Sequence, residues 1–200
     1  MLKVALFVDR NGMLNATSRD PIRGTAWQGP YTIGNARLVP GSRVAICQPN
    51  DTTFIALMVD AIGVLNVASL DVSTSDGWQG PDTVGSASLI PGCPVAICQP
   101  TSSLVTALMI NRDGVLNVAS LDMKSGKGWQ GPDTVGGMGL VPGSVVTIFG
   151  ASTSVFTAFM VDRNGVLNAA ALDVSAGTGW QAPNTVGNSY LVPGSHVAAL

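Results

Sequence analysis

The chain has 200 residues, 46% of them hydrophobic and 11% charged, with a net charge of −2. That balance excludes a disordered chain. The ten basic residues are scattered singly and form no stripe that would displace the counterions of a nucleic acid. The apolar residues fall in short runs, none near the roughly 18 that cross a bilayer, so no membrane insertion is expected.

In chain order, the N-terminal MLKVALFVDR has one lysine and an apolar run that Asp9 interrupts too soon for a signal-peptide core. The expectation is a protein that is cytoplasmic, or secreted without a recognisable signal peptide. From there a period of 51 residues governs everything. It carries Trp27, Trp78, Trp129 and Trp180, and Asn15, Asn66, Asn117 and Asn168. It also carries Gly12, Gly63, Gly114 and Gly165, and the Pro-Gly pairs at Pro40, Pro91, Pro142 and Pro193. No insertion or deletion disturbs it. The chain reads as one domain, 1–200, with repeats at approximately 4–54, 55–105, 106–156 and 157–200.

Each repeat offers four short strands. In the second copy the first is Val95–Cys98, entered by the turn at Pro91-Gly92, the second is Ile55–Val59, the third is Val64–Leu70, and the fourth lies around Trp78 and Thr83-Val84. The Asp-x-x-Gly sequences, such as Asp60 to Gly63, join the second and third as a hairpin, with glycine at the left-handed position. The density of glycine and proline excludes helical repeats of similar period. An all-β fold follows: a β-propeller of four 51-residue, four-stranded antiparallel blades. Because the chain begins at the second strand of a unit and ends at the first, His196–Leu200, the N- and C-terminal strands are expected to pair and close the ring. Closure within one chain, as a monomer with four blades, is the leading expectation. Two chains forming an eight-bladed ring, a homodimer, is the alternative.

The chemistry-bearing residues are few. The lone His196 has no repeated partner, no nucleophile triad or phosphate loop is visible, and the chain is expected not to be an enzyme. The Asp-x-x-Gly stretches lack the spaced ligands of a calcium loop, so no metal and no cofactor are expected. Cys47 and Cys98 share a repeat position with Phe149 and Leu200 and read as small buried hydrophobes; Cys93 replaces the serine of a loop.

The motif Trp-Gln-Gly-Pro is the strongest candidate for binding. A tryptophan face stacks on the C–H side of a sugar ring while nearby amides take its hydroxyls. The candidate carbohydrate-binding residues are therefore Trp27, Trp78, Trp129 and Trp180, with Gln28, Gln79, Gln130 and Gln181 and with Asn15, Asn66, Asn117 and Asn168. Alternatively each tryptophan packs between blades. Asp20, Asp71, Asp122 and Asp173, ending the same strand as the asparagines, are expected to hold the loop that follows.

The run Gly-Trp-Gln-Gly-Pro, then Leu-Val-Pro-Gly-Ser-x-Val-Ala, then Val-Asp-x-Asn-Gly-x-Leu-Asn resembles blades of bacterial and fungal β-propeller lectins of the Photorhabdus-type and fucose-lectin-like groups. The resemblance implies a multivalent carbohydrate-binding protein, a lectin without catalysis, with weak sites at or between blades. Its implied partners are glycans bearing fucose or a similar monosaccharide, and the tryptophans are the residues that transfer. Proline at 30, 81, 132 and 183 stands where many such blades carry a second aromatic. The alternative function is a non-catalytic structural or protein-interaction propeller.

Overall fold

The computed structural model describes residues 2–85, 88–137, 139–187 and 190–199. They form four antiparallel sheets, one per repeat. The first holds β1 (Lys3–Val8), β2 (Leu14–Arg19) and β3 (Gln28–Thr32). The second holds β4 (Ala45–Cys47), β5 (Thr53–Val59), β6 (Leu65–Asp71) and β7 (Trp78–Gly85). The third holds β8 (Ala96–Cys98), β9 (Leu104–Ile110), β10 (Val115–Asp122) and β11 (Trp129–Gly137). The fourth holds β12 (Thr147–Gly150), β13 (Val155–Val161), β14 (Leu167–Asp173) and β15 (Asn184–Thr185). In the last three sheets the strands lie in sequence order, as a meander of four; the strand expected at Val95–Cys98 with the second repeat pairs instead into the third sheet, as Ala96–Cys98.

Strand β5 is a continuous apolar run because both of its faces are covered, and β9 is buried in the same way. Phe54 through Val59 are all buried, which is the signature of a strand packed on two sides. Leu57, Val59 and Leu65 of the second sheet meet Ala107, Met109 and Ala119 of the third. On the other face, Ala56, Met58 and Ala68 meet Val8, Leu14 and Ile33 of the first. The third sheet meets the fourth through Leu108, Ile110 and Leu116 against Ala158, Met160 and Ala170. The core thus lies between the sheets, and each full burial of a methionine or leucine there contributes about 2 kcal/mol.

The linkers after the outer strands fasten one sheet to the next. Leu38 N–H donates to the Gly12 carbonyl of its own sheet (2.9 Å), while Ala61 N–H of the next sheet donates to the Arg37 carbonyl (2.9 Å). The third and fourth sheets repeat this with Arg112 N–H to Ser88 and Arg163 N–H to Gly139, both 3.1 Å. Two arginine side chains add a second bond across the same junctions, Arg112 Nε to the Leu89 carbonyl (2.9 Å) and Arg163 Nε to the Leu140 carbonyl (3.1 Å). The linker backbone runs so close to the hairpin that a β carbon on Gly63, at φ +84°, would collide with the Leu89 carbonyl oxygen.

Ring closure within the chain is absent among the described residues. The first sheet has three strands, and β1 lies at its edge. Residues 196–199 form no strand. They lie instead beside β12, where the Thr147 hydroxyl donates to the Val197 carbonyl at 2.7 Å. The C-terminal segment therefore takes the place of the innermost strand of a further sheet, on the far side of the chain from β1.

Gly63→Ala is expected to cost about 2 kcal/mol or more, through both the positive φ and the collision, and to lower Tm by roughly 5 °C. Gly126 has a similar φ of +67° with open space around it, so Gly126→Ala should cost about 1 kcal/mol. Thermal denaturation of the two variants separates the steric part from the conformational part.

Candidate functional site

Three of the four tryptophans stand at junctions between sheets. Trp78 packs on the core shared by the first and second sheets, Trp129 on that of the second and third, and Trp180 on that of the third and fourth. Each opens its outer strand, or stands just before it, and leans on the sheet before its own, leaving part of the ring uncovered. Trp27 has no preceding sheet and is 53% exposed. Three of the tryptophans thus pack between sheets while staying partly exposed, and Trp27 packs on none of these cores.

The junction of the third and fourth sheets opens into an amphipathic groove of about 290 Å³. Leu104 and Val118 line it from the third sheet, Leu172 and Trp180 from the fourth, and Thr106, Ser120 and Thr178 add hydroxyls. The Trp180 indole Nε1–H donates to Thr106 Oγ1 at 3.2 Å, which fixes the ring as one wall. The residues matching Thr106 in the two preceding sheets are Val4 and Ile55, so Trp78 and Trp129 face no hydroxyl at that place. The four repeats are therefore unequal as sites. That inequality was legible only as variation at a strand position, with nothing in the sequence to pair it with a tryptophan 74 residues away.

The glutamines are exposed beside the tryptophans and turn back on the chain. Gln79 Nε2 donates to the Asp76 carbonyl (2.9 Å), Gln130 to those of Lys127 and Trp129 (3.2 Å each), and Gln181 to that of Gly179 (3.2 Å). Gln28 lines a separate small depression with Arg19, Asp20 and Arg23.

The asparagines lie elsewhere. Asn15, Asn66, Asn117 and Asn168 are buried and brace the hairpin between the second and third strands. Asn66 Nδ2 donates to the Asp60 carboxylate (3.1 Å) and the Val64 carbonyl (2.9 Å). Asn15 does the same with Asp9 and Met13, and its Oδ1 accepts from the Thr32 hydroxyl at 3.1 Å. None of the four lines the groove.

The aspartates at the two ends of these strands are occupied by backbone. Asp9 Oδ1 accepts from Asn11 and Met13 N–H (2.8 and 3.0 Å), and its carboxyl is held below the ordinary value, chiefly by the Met13 N–H. The Ser73 hydroxyl does this for Asp71 and the Ser175 hydroxyl for Asp173, in the loop-holding role expected of them. Burial pushes the thiols of Cys47 and Cys93 up to about 11 and that of Cys98 to about 12, so all three are protonated at neutral pH.

The lowered carboxyls set a sign for pH. The folded state favours the charged form of Asp9, Asp71 and Asp173, so their contribution is complete above the ordinary carboxylate pKa and is lost as pH falls through the lowered values. Tm should be level between about pH 7 and 5 and decline below about pH 4, with Asp71→Asn and Asp173→Asn flattening the decline.

No protein-family model matches the chain, and no curated protein matches it. Solved structures do. The BP39L lectin from Burkholderia pseudomallei superposes with a TM-score of 0.80 at 26% identity, over 93% of this chain and 52% of that one. The SapL1 lectin in complex with α-methyl fucoside gives 0.61 at 18% identity, over 95% and 63%. The lectin of the fungus Aleuria aurantia, described as a six-bladed β-propeller with a novel fucose recognition mode, gives 0.62 at 14%, over 97% and 65%. The chain spans about half to two thirds of the length of these proteins, and its fold is that of the β-propeller lectins.

Proposed function

We propose that the chain is a non-catalytic, multivalent carbohydrate-binding protein whose leading site is the groove between the third and fourth sheets. The observation that carries this reading is the pairing of a partly uncovered Trp180, fixed by Thr106, with an apolar floor and a rim of hydroxyls. A pyranose has one apolar C–H face and an edge of hydroxyls, and a 6-deoxy sugar such as fucose adds a methyl group that suits Leu104, Val118 and Leu172. The fucoside-bound SapL1 and the fucose-recognising Aleuria protein support that sugar class. The Trp78 and Trp129 junctions, with Val4 and Ile55 in place of the threonine, are weaker versions of the same site. Several weak sites on one scaffold gain roughly 10²–10⁴ in avidity on a glycan-covered surface. A scaffold role is the second reading, favoured by the packing of three tryptophans on junction cores.

A glycan screen followed by α-methyl fucoside titration, watching the indole N–H signal of Trp180 by NMR, tests the first reading. The signal should move with ligand, and Thr106→Val should weaken binding at this groove about tenfold, the worth of one hydrogen bond, with Tm nearly unchanged. A Trp180 signal that no glycan moves at millimolar concentration leaves the scaffold reading.

A further inference from the structure

Two faces of the four-sheet body remain uncovered, and the repeat makes each the counterpart of the other. On the first sheet, Phe7 is 41% exposed, whereas Met58, Met109 and Met160 at the same repeat position are fully buried. On the fourth, Leu191 is 40% exposed, whereas Leu38, Leu89 and Leu140 are buried at 3% or less. Every internal junction is built by bringing one face of the first kind onto one of the second.

The polar fastenings match as well. Arg10 occupies the repeat position of Arg112 and Arg163, which donate to the linker carbonyls of Leu89 and Leu140. The carbonyl at the corresponding position on the fourth sheet is that of Leu191. At the ends of the outer strands or just past them, Gly34 and Gly85 lie against Pro81 and Pro132 of the following sheet, while their equivalent Gly187 has nothing within 4 Å and Pro30 is exposed. Shifting the Trp180–Thr106 pair by one repeat gives Thr157 and the tryptophan of a following sheet, which in another copy of the chain is Trp27.

We propose that two copies of this chain dock head to tail, the first sheet of each on the fourth sheet of the other, and that each docking builds a second sugar groove in which Trp27 of one copy stands over Thr157 of the other. The occupant is another copy because the apolar faces, the Arg10 donor and the Leu191 acceptor, and the Pro30 and Gly187 surfaces all belong to one chain and are spaced by one repeat. The C-terminal segment of each copy, already beside β12, then lies next to β1 of the other. The new groove keeps the threonine that the Trp78 and Trp129 junctions lack; on its floor Arg19 stands for Leu172 and Ala169 for Val118, and Ala171 takes the place of Ser120. Its role as a sugar site rests on the function proposed above; the docking does not.

Light scattering on the 200-residue chain should give twice the 20.4 kDa monomer mass. Phe7→Glu and Leu191→Asp should each return it to monomer, and Arg10→Ala should raise the dimer dissociation constant at least tenfold. Ile62→Glu, on an exposed residue within the body, should leave the mass unchanged, with circular dichroism confirming that every variant is folded. The Trp27 indole signal should move with α-methyl fucoside in the wild-type dimer, need about tenfold more ligand in Thr157→Val, and stay still in Leu191→Asp. A monomeric wild type, a larger assembly, or a dimer indifferent to Phe7→Glu and Leu191→Asp overturns the docking. A sensitive dimer in which fucoside moves Trp180 and leaves Trp27 still overturns the second groove alone. A sensitive dimer in which fucoside moves neither signal supports the docking and overturns the sugar reading beneath the groove.

Discussion

Stability in this protein is a property of junctions. No sheet has an inside of its own: the apolar second strand needs a neighbour on each face, and the only neighbours are other sheets. The linkers after the first three outer strands meet that need by bonding two successive hairpins at once, which sets the spacing at which alanine, methionine and leucine interdigitate. Architectures of this kind behave as sums of unit and interface terms, so what happens at one junction is largely independent of the next.

The arrangement also explains why a site appears where it does. A tryptophan that must both pack on the preceding sheet and begin an outer strand cannot be wholly buried, because the strand turns outward at that point. The uncovered part of the ring becomes a wall, and whatever lies opposite decides its chemistry. Thr106 opposite Trp180 gives a hydroxyl; Ile55 opposite Trp129 gives none. Small changes on a strand thus tune a site without touching its aromatic component.

Much of the fold was legible because the repeat exposes its own constraints. The Asp-x-x-Gly hairpin, the Pro-Gly turns and the strand positions are local chemistry, and in the second and third sheets they appear where expected, within two residues; the strand expected at His196–Leu200 does not form over residues 196–199. The role of the asparagines was less legible: a buried amide demands partners, but whether those lie in its own hairpin or across a groove is a matter of geometry, and the structure gives all four the carbonyl two residues back, with Asp9 and Asp60 as second partners of Asn15 and Asn66. Ring closure was inferred from strand order alone, which fixes the pairing that is missing and leaves open which chain supplies it. The pairing of Trp180 with Thr106 depends on how two sheets are juxtaposed, and no local pattern carries that information.

One departure from the repeat shows how the design tolerates wear. The first three repeats place glycine at 29, 80 and 131, at φ of +89° to +103°, where a β carbon would come within 2.6–2.7 Å of a carbonyl oxygen on the neighbouring strand. The fourth has Ala182 instead, and its outer strand shrinks to Asn184–Thr185, against eight and nine residues in the two sheets before it. The hydrophobic contacts of Met160 and Ala170 are untouched. The loss at the periphery therefore stops there: the rim can shorten by a whole strand's length of pairing while the interior that carries it stays as tightly filled as in the other sheets.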